Sequence, residues 1–264
     1  MRFSVVHTTR YRYDAPVHLE PHTFRLCPRQ DGSQRVLAYE LAISPAPAGR
    51  AEGLDENGNV MTQAWFTGTV ESLEARSSFE VETLRENPFD FLLSQADREL
   101  PGASSAGNEV GQLARSLATH ARNQTVPFLS ALTQTIFGTV RQVVRRDGAP
   151  HPPDQTLRDK EGSCRDLAVL FCEACRAVGV TARFVSGYER DASLQENGEM
   201  HAWAEVYLQG GGWRGYDPSR GLAVAASHVA VAAAADPLLA APVTGTYRGA
   251  ARAAMEFQIA MQVG

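Results

Sequence analysis

Three short segments hold residue types that together can carry out acyl chemistry. They are Gly162-Ser163-Cys164-Arg165-Asp166, His201-Ala202-Trp203-Ala204-Glu205-Val206 and Trp213-Arg214-Gly215-Tyr216-Asp217-Pro218. A thiol attacks a carbonyl as its thiolate, and it needs a base that later returns a proton near neutral pH. Histidine suits both tasks. Cys164 opens an amphipathic stretch in which Leu167, Leu170, Phe171, Ala174, Cys175 and Val178 share one face, so a helix is predicted over Gly162–Gly179. At a helix start the unpaired N–H groups and the dipole favour an anion, here a thiolate. The Cys164 N–H is placed to donate to an oxyanion, and Gly162 to let substrate approach the backbone closely. Taken alone, a cysteine at that position reads more readily as a small buried hydrophobe.

His201 and Asp217 change that balance. His201 opens a predicted strand, with Trp203, Glu205 and Tyr207 on its face and Ala202, Ala204 and Val206 on the other. Asp217 ends the next strand. In an antiparallel hairpin the start of one strand lies beside the end of the next, so the carboxylate can reach the imidazole and fix its tautomer. Glu205 is expected to pair with an arginine and Trp203 to pack beside His201. Arg165 and Asp166 are expected to tie the helix start to its surroundings. Three upstream glutamines, Gln134, Gln142 and Gln155, are open as side-chain oxyanion donors, and the sequence selects none of them.

The elements that must position these residues follow from periodicity. Residues 1 to about 85 alternate in short stretches (1–13, 23–27, 36–43, 59–66 and 78–84) separated by turn signals such as Asn57-Gly58-Asn59. This pattern predicts an antiparallel sandwich or open barrel. A weakly patterned stretch from Asn87-Pro88 to Gly107 marks a domain boundary. Helices are predicted over 110–122 and from Thr125-Val126-Pro127 to Asp147-Gly148, the second with Phe128, Leu132, Ile136, Phe137, Val140 and Val144 among its apolar residues. A Pro-rich loop covers 150–154. Strands are predicted over 180–188, 201–208, 213–216, 228–233 and 255–263.

The remaining cysteines are predicted to be core thiols. Cys172 and Cys175 form C-x-x-C, but inside an apolar helix, without the turn of a zinc knuckle or the helix-start position of a redox motif. Cys175 lies about 20° around the helix from Cys164 but roughly 16 Å along it, too far for a shared metal or a disulfide. Cys27 completes the set.

The whole chain has 264 residues, 44% hydrophobic and 21% charged, which excludes a disordered protein and leaves room for about two domains. A net charge of −5 speaks against nucleic-acid or anionic-membrane partners. No stretch is apolar enough for a transmembrane helix, and the N-terminal residues do not read as a signal peptide. A cytoplasmic protein with free thiols is expected. Arginine outnumbers lysine 24 to one, Lys160 being the single lysine.

The three segments also resemble the core motifs of the transglutaminase-like superfamily, in particular bacterial members described as candidate cysteine proteases. The likeness of the core runs from about Thr156 to Gly221. The β-rich residues 1–80, His228-Val229-Ala230-Val231 and Gly245-Thr246-Tyr247-Arg248-Gly249 resemble flanking parts of the same proteins. The resemblance implies an α+β fold. A β-sandwich-like N-terminal domain (1–85) would precede a papain-like, transglutaminase-like core (86–264) whose Cys helix packs on an antiparallel sheet. It implies a triad with Cys164 as nucleophile, His201 as base and acid, and Asp217 as orienter. The chain departs from the family where Ala232–Ala235 and Asp236 replace an acidic-aromatic segment. The expected reaction forms a Cys164 thioester from a peptide or protein amide. Hydrolysis is the leading outcome and transfer to an amine the alternative; a non-catalytic binding module is the reading of another class. No cofactor and no metal are expected, there being no EF-hand-like loop.

Overall fold

The computed structural model describes residues 1–102, 108–145, 148–190 and 199–264. The first third of the chain is β1 (Arg2–Leu19), β2 (His22–Phe24), β3 (Gln34–Ser44), β4 (Gly49–Leu54), β5 (Val60–Trp65) and β6 (Val70–Thr83). In β1 every second residue from Phe3 to Thr9 is buried, the period-2 signature of a strand with one covered face. β1, β6 and β3 pair antiparallel, and β2, β5 and β4 form a second antiparallel sheet. Phe24, Leu26, Ala64, Leu73 and Ala75 pack together across the two sheets. Fully burying a side chain such as Phe24 or Leu73 contributes about 2 kcal/mol each.

The middle of the chain carries α1 (Glu109–His120), α2 (Thr125–Thr139), β7 (Arg141–Gln142), α3 (Pro153–Asp159), β8 (Glu161–Gly162) and α4 (Cys164–Ala177). Then come β9 (Ala182–Glu189), β10 (Met200–Leu208), β11 (Gly212–Asp217), β12 (Leu222–Ala223) and β13 (His228–Ala234). These five strands form one antiparallel sheet in the order β12-β11-β10-β9-β13. The apolar stripe of α4, with Leu167, Leu170, Phe171, Ala174 and Cys175, joins Ala204, Val206 and Leu208 of β10 in the largest core. This is the α+β arrangement with the Cys helix on an antiparallel sheet.

The second helix is shorter than its sequence predicts. It ends at Thr139, and Val140 has extended backbone at φ −111, ψ 117. The chain then turns into β7, which pairs in parallel with β8 as Arg141↔Glu161 and Gln142↔Gly162. Val144, beyond the helix end, is exposed, and Phe137, still inside the helix, is exposed too instead of lying on the buried face with Ile136. The β-branched run Val143-Val144 suits this extended course better than a helix. The predicted stop includes Asp147, and the predicted boundary stretch includes 103–107; these lie outside the described residues. The Pro-rich loop in turn gives way to α3, which Pro153 opens at its first position.

The chain finally returns to where it began. β14 (Val243–Thr244) pairs with β2, β15 (Tyr247–Arg248) with β1, and β16 (Ala253–Val263) runs along β1 from Tyr13↔Ala253 to Phe3↔Val263. Sequence order groups these strands with the core, whereas hydrogen bonding puts them in the N-terminal sheets. The open edge of β1 supplies the reason, since an unpaired strand edge is a template for another strand. The two halves meet through Phe3, Val5, Phe79, Val81 and Ile259 against Tyr188, Val229 and Val231. Two amides close the edge of β13. Gln34 bonds both the N–H and the C=O of Ala230 at 2.8 Å, and Asn59 bonds those of Ala233 at 2.8 and 2.9 Å. Side chains thereby satisfy edge backbone groups that would otherwise be orphaned on burial.

Candidate active site

Cys164 is the first residue of α4, and Ser163 precedes it with extended backbone. Asp166, fully buried, holds this helix start in place. Its Oδ2 accepts the Ser163 N–H at 2.7 Å and the Ser163 hydroxyl at 2.8 Å. Its Oδ1 accepts the His151 N–H at 2.7 Å and Arg145 at 2.6 Å. Burial alone would raise the Asp166 carboxyl; these hydrogen bonds and the Arg145 charge outweigh it and hold the pKa below the usual carboxylate range. Gly162 has a packing reason. A Cβ there would lie 2.9 Å from Asp166 Cβ and 3.0 Å from Leu167 and Thr156 side-chain atoms. The glycine lets α3 and α4 close on each other, whereas its sequence suggested room for substrate.

His201 near the start of β10 and Asp217 at the end of β11 meet as the hairpin geometry predicts. His201 Nε2 lies 2.7 Å from Asp217 Oδ2. Trp203 stacks beside His201, with centroids 6.3 Å apart and planes at 26°. Cys164 lines the same cavity as His201, near enough to act on the charge of its ring. A carboxylate oxygen only accepts, so His201 donates from Nε2 to Asp217 and keeps Nδ1 for the thiol. Burial by itself would lower the His201 pKa. Hydrogen bonds and charge from Asp217 and Cys164 outweigh it and raise the pKa to about 10. The carboxyl of Asp217 is held far below its ordinary range: burial opposes this, and hydrogen bonds from His201 and His228 overcome it.

His228 has no counterpart in the sequence reading beyond opening a strand. Its Nε2 lies 3.0 Å from the same Asp217 Oδ2, and its Nδ1 lies 2.9 Å from Ser227 Oγ. Asp217 Oδ1 accepts the Ser219 hydroxyl at 2.7 Å and the N–H groups of Ser219 and Arg220 at 2.9 and 3.2 Å. Five donors thus surround one fully buried carboxylate. Glu189 completes the cluster, with Oε2 3.6 Å from His201 Nε2 and 2.8 Å from Arg220 Nε. The ligating atoms of Glu189, His201, Asp217 and His228 lie within 4.8 Å of one another, so this set has the donors to hold a metal ion. Protons shared between the imidazoles and the carboxylate account for the same closeness. The donor to Asp217 is expected to matter: a hydrogen bond to a charged group contributes about 1.5–3 kcal/mol. His228→Leu should therefore slow modification of Cys164 about 10- to 100-fold. His228→Gln, which retains an N–H donor, should recover most of the rate in the same alkylation assay.

The other residues singled out by sequence fall as follows. Glu205 pairs with Arg183 at 2.6 Å, and Arg183 lies over the Trp213 ring at 3.8 Å. Gln134 donates to the Gly221 carbonyl, and Gln155 is in α3. Gln142 lines a cavity of about 700 Å³ together with Cys164 and His201, two residues across the ladder from Cys164 through its Gly162 partner. Cys27, Cys172 and Cys175 are buried free thiols, whereas Cys164 is partly exposed. Burial pushes Cys27 up to about 11, Cys172 up to about 12 and Cys175 well above its ordinary value.

A partly exposed thiol, an imidazole and a buried carboxylate on a helix-and-sheet core define a fold class. Residues 3–82 match the bacterial transglutaminase-like N-terminal region, and residues 111–218 match the transglutaminase-like superfamily. The chain belongs to that superfamily. It is similar to an uncharacterized protein of Mycobacterium leprae, 26% identical over 99% of this chain and 98% of that one. A Mycobacterium tuberculosis protein, also uncharacterized, is 26% identical over 92% of this chain and 87% of its own length. A crystal structure of a candidate cysteine protease from Cytophaga hutchinsonii shares the fold. Its TM-score is 0.70 at 20% identity, covering 100% of this chain and 91% of that chain.

Proposed function

We propose that the protein is a thiol enzyme that attacks a peptide or amide carbonyl through Cys164 and passes through a thioester acyl-enzyme. The observation that carries this reading is the partly exposed Cys164 at a helix start, sharing an open cavity with His201, whose Nε2 is hydrogen-bonded to the buried Asp217 at 2.7 Å. In it, a cationic His201 favours the anionic sulfur by Coulomb attraction. The thiolate adds to the carbonyl, and the imidazolium then gives its proton to the leaving amine as the C–N bond breaks. Water next attacks the thioester, His201 accepting its proton, and the carboxylic acid leaves. An amine in place of water would give acyl transfer. Hydrolysis is the reading we favour, because water is always at hand and amine transfer needs an acceptor site. The acyl donor would be a peptide or protein.

The test is intact-mass analysis after exposure to a peptide library, with Cys164→Ala as the control. An adduct on the native chain that is missing from the variant supports the reading, and equal adducts on both overturn it. Iodoacetamide at pH 6–7 is expected to modify Cys164 well before Cys27, Cys172 or Cys175, which burial keeps as neutral thiols. Uniform labelling of the four would sink the activated-thiol reading and favour a binding module.

Gln142 is expected to assist the oxyanion together with the Cys164 N–H. Removing one such donor typically costs about 10²–10³-fold in turnover. Gln142→Ala should therefore slow acyl-enzyme formation by that order and leave the iodoacetamide rate of Cys164 nearly unchanged, since alkylation develops no oxyanion. A parallel loss in both reactions would refute this role.

A further inference from the structure

The cavity wall beyond the nucleophile is built by parts of the chain that the acyl chemistry leaves unused. Cys164 packs against a buried cluster that includes Phe184, Ala202 and Ala240, and these three line the cavity with it. Farther out, the cavity is lined by Leu238 and by Met255, Phe257 and Met261 of β16. The register Tyr11↔Met255, Thr9↔Phe257 and Val5↔Met261 puts these three on the same sheet face as the lining residues of β1. The C-terminal strand and the N-terminal sheet thus face Cys164 across the cavity. Leu238 and Met255 are 58% and 41% exposed, large apolar side chains left open to the space beside a nucleophile.

The charged groups of the cavity are engaged within the molecule. Arg145 donates to Asp166 and to the Ala149 carbonyl, Arg165 to the Arg145 carbonyl, and Arg220 to Glu189. Glu199 also has its interaction within the chain. His7 is buried, with ring nitrogens 2.8 Å from the Tyr188 hydroxyl and 3.1 Å from the Thr9 hydroxyl, and burial lowers its pKa to about 4, so it is neutral. What the wall offers a ligand is therefore apolar surface, with few polar groups to set orientation, as in most sites for organic ligands.

We propose that this cavity is the subsite for the acyl part of the substrate, and that it takes an uncharged, apolar side chain next to the scissile amide. The N-terminal sheet and the C-terminal strand supply the wall that selects it. The proposal rests on Cys164 being the nucleophile. A charged side chain there would lose hydration and find each countercharge already engaged. An apolar one would cover Leu238, Met255, Phe257 and Met261.

The test uses the full chain and N-acyl-dipeptidyl chloromethyl ketones that carry Leu, Phe, Glu or Lys next to the warhead. In the reaction the sulfur of Cys164 displaces chloride to form a thioether, read by intact mass. The Leu and Phe reagents are expected to modify Cys164 at least tenfold faster than the Glu and Lys reagents. Leu238→Asp and Met255→Asp replace exposed residues and so keep the fold; in each, the ratio of the Leu-reagent rate to the iodoacetamide rate should fall severalfold or more. Equal rates for all four reagents, faster reaction of a charged one, or variants that leave the ratio unchanged overturn the subsite. If iodoacetamide itself fails to prefer Cys164, the acyl chemistry falls and the subsite with it.

Discussion

Asp217→Asn is expected to slow the reaction of Cys164 by between about 10² and 10⁴-fold while the protein remains folded. The asparagine carbonyl would keep the place of Oδ1, with its bonds from Ser219 and Arg220. Its amide nitrogen would stand where Oδ2 stands, facing Nε2 of both His201 and His228. A donor there forces Nε2 of His201 to accept, which puts the proton on Nδ1. The ring atom that should take the thiol proton is then already protonated. The negative charge that raises His201 to about 10 is lost as well. Iodoacetamide kinetics across pH measure both effects. The native chain should keep His201 cationic beside Cys164, and so a fast rate, through the neutral range. The variant should be slow across that same range. A variant within tenfold of the native rate at pH 6 would show that Asp217 does not set the imidazole. His201 leaves a second trace. Because its folded pKa is raised, its contribution to stability is full below about pH 6.5 and is lost as pH rises toward about 10. Asp217→Asn should flatten stability over that interval.

The sequence displays the reacting atoms more fully than the shell that holds them. Cys164, His201 and Asp217 each sit in a short segment with a local signature: a helix start, a strand start and a strand end. Antiparallel geometry is enough to bring the last two together. His228 carries no such signature. It reaches Asp217 because β13 pairs with β9, and β9 with β10, a relation set by sheet order and not by spacing along the chain. Glu189 lies opposite His228 in that pairing and is hidden for the same reason. The C-terminal strand has the right period, but its partner β1 is about 250 residues away in sequence, and an alternating strand does not name its neighbour. The over-long second helix is a different kind of miss. Val140, Val143 and Val144 continue an apolar pattern that suits a helix or an extended chain, and pairing with β8 decides between them.

Asp166→Ala is expected to be the most destabilising single change at the site, costing about 3–5 kcal/mol. Asp166 is fully buried and carries four hydrogen bonds, one of them from the Arg145 guanidinium. Truncation leaves that cation without its partner and orphans the N–H groups of His151 and Ser163. It also removes the brace that fixes the first turn of α4, so the direction of Cys164 toward His201 loosens with it. The pH dependence has a definite sign. A carboxyl whose folded pKa lies below the unfolded value stabilises fully above about pH 4 and loses that contribution as pH falls through the folded pKa. Denaturant unfolding of the native chain should therefore weaken on acidification below about pH 4. Asp166→Asn, which does not titrate, should start lower and show a shallower acid limb. Equal acid limbs in the two proteins would mean that Asp166 does not anchor the helix start. A loss under 1 kcal/mol for the alanine variant would mean the same. Since Cys164 is two residues away, loss of the brace should also lower its preference for iodoacetamide over the buried thiols, in the fraction of Asp166→Asn that remains folded.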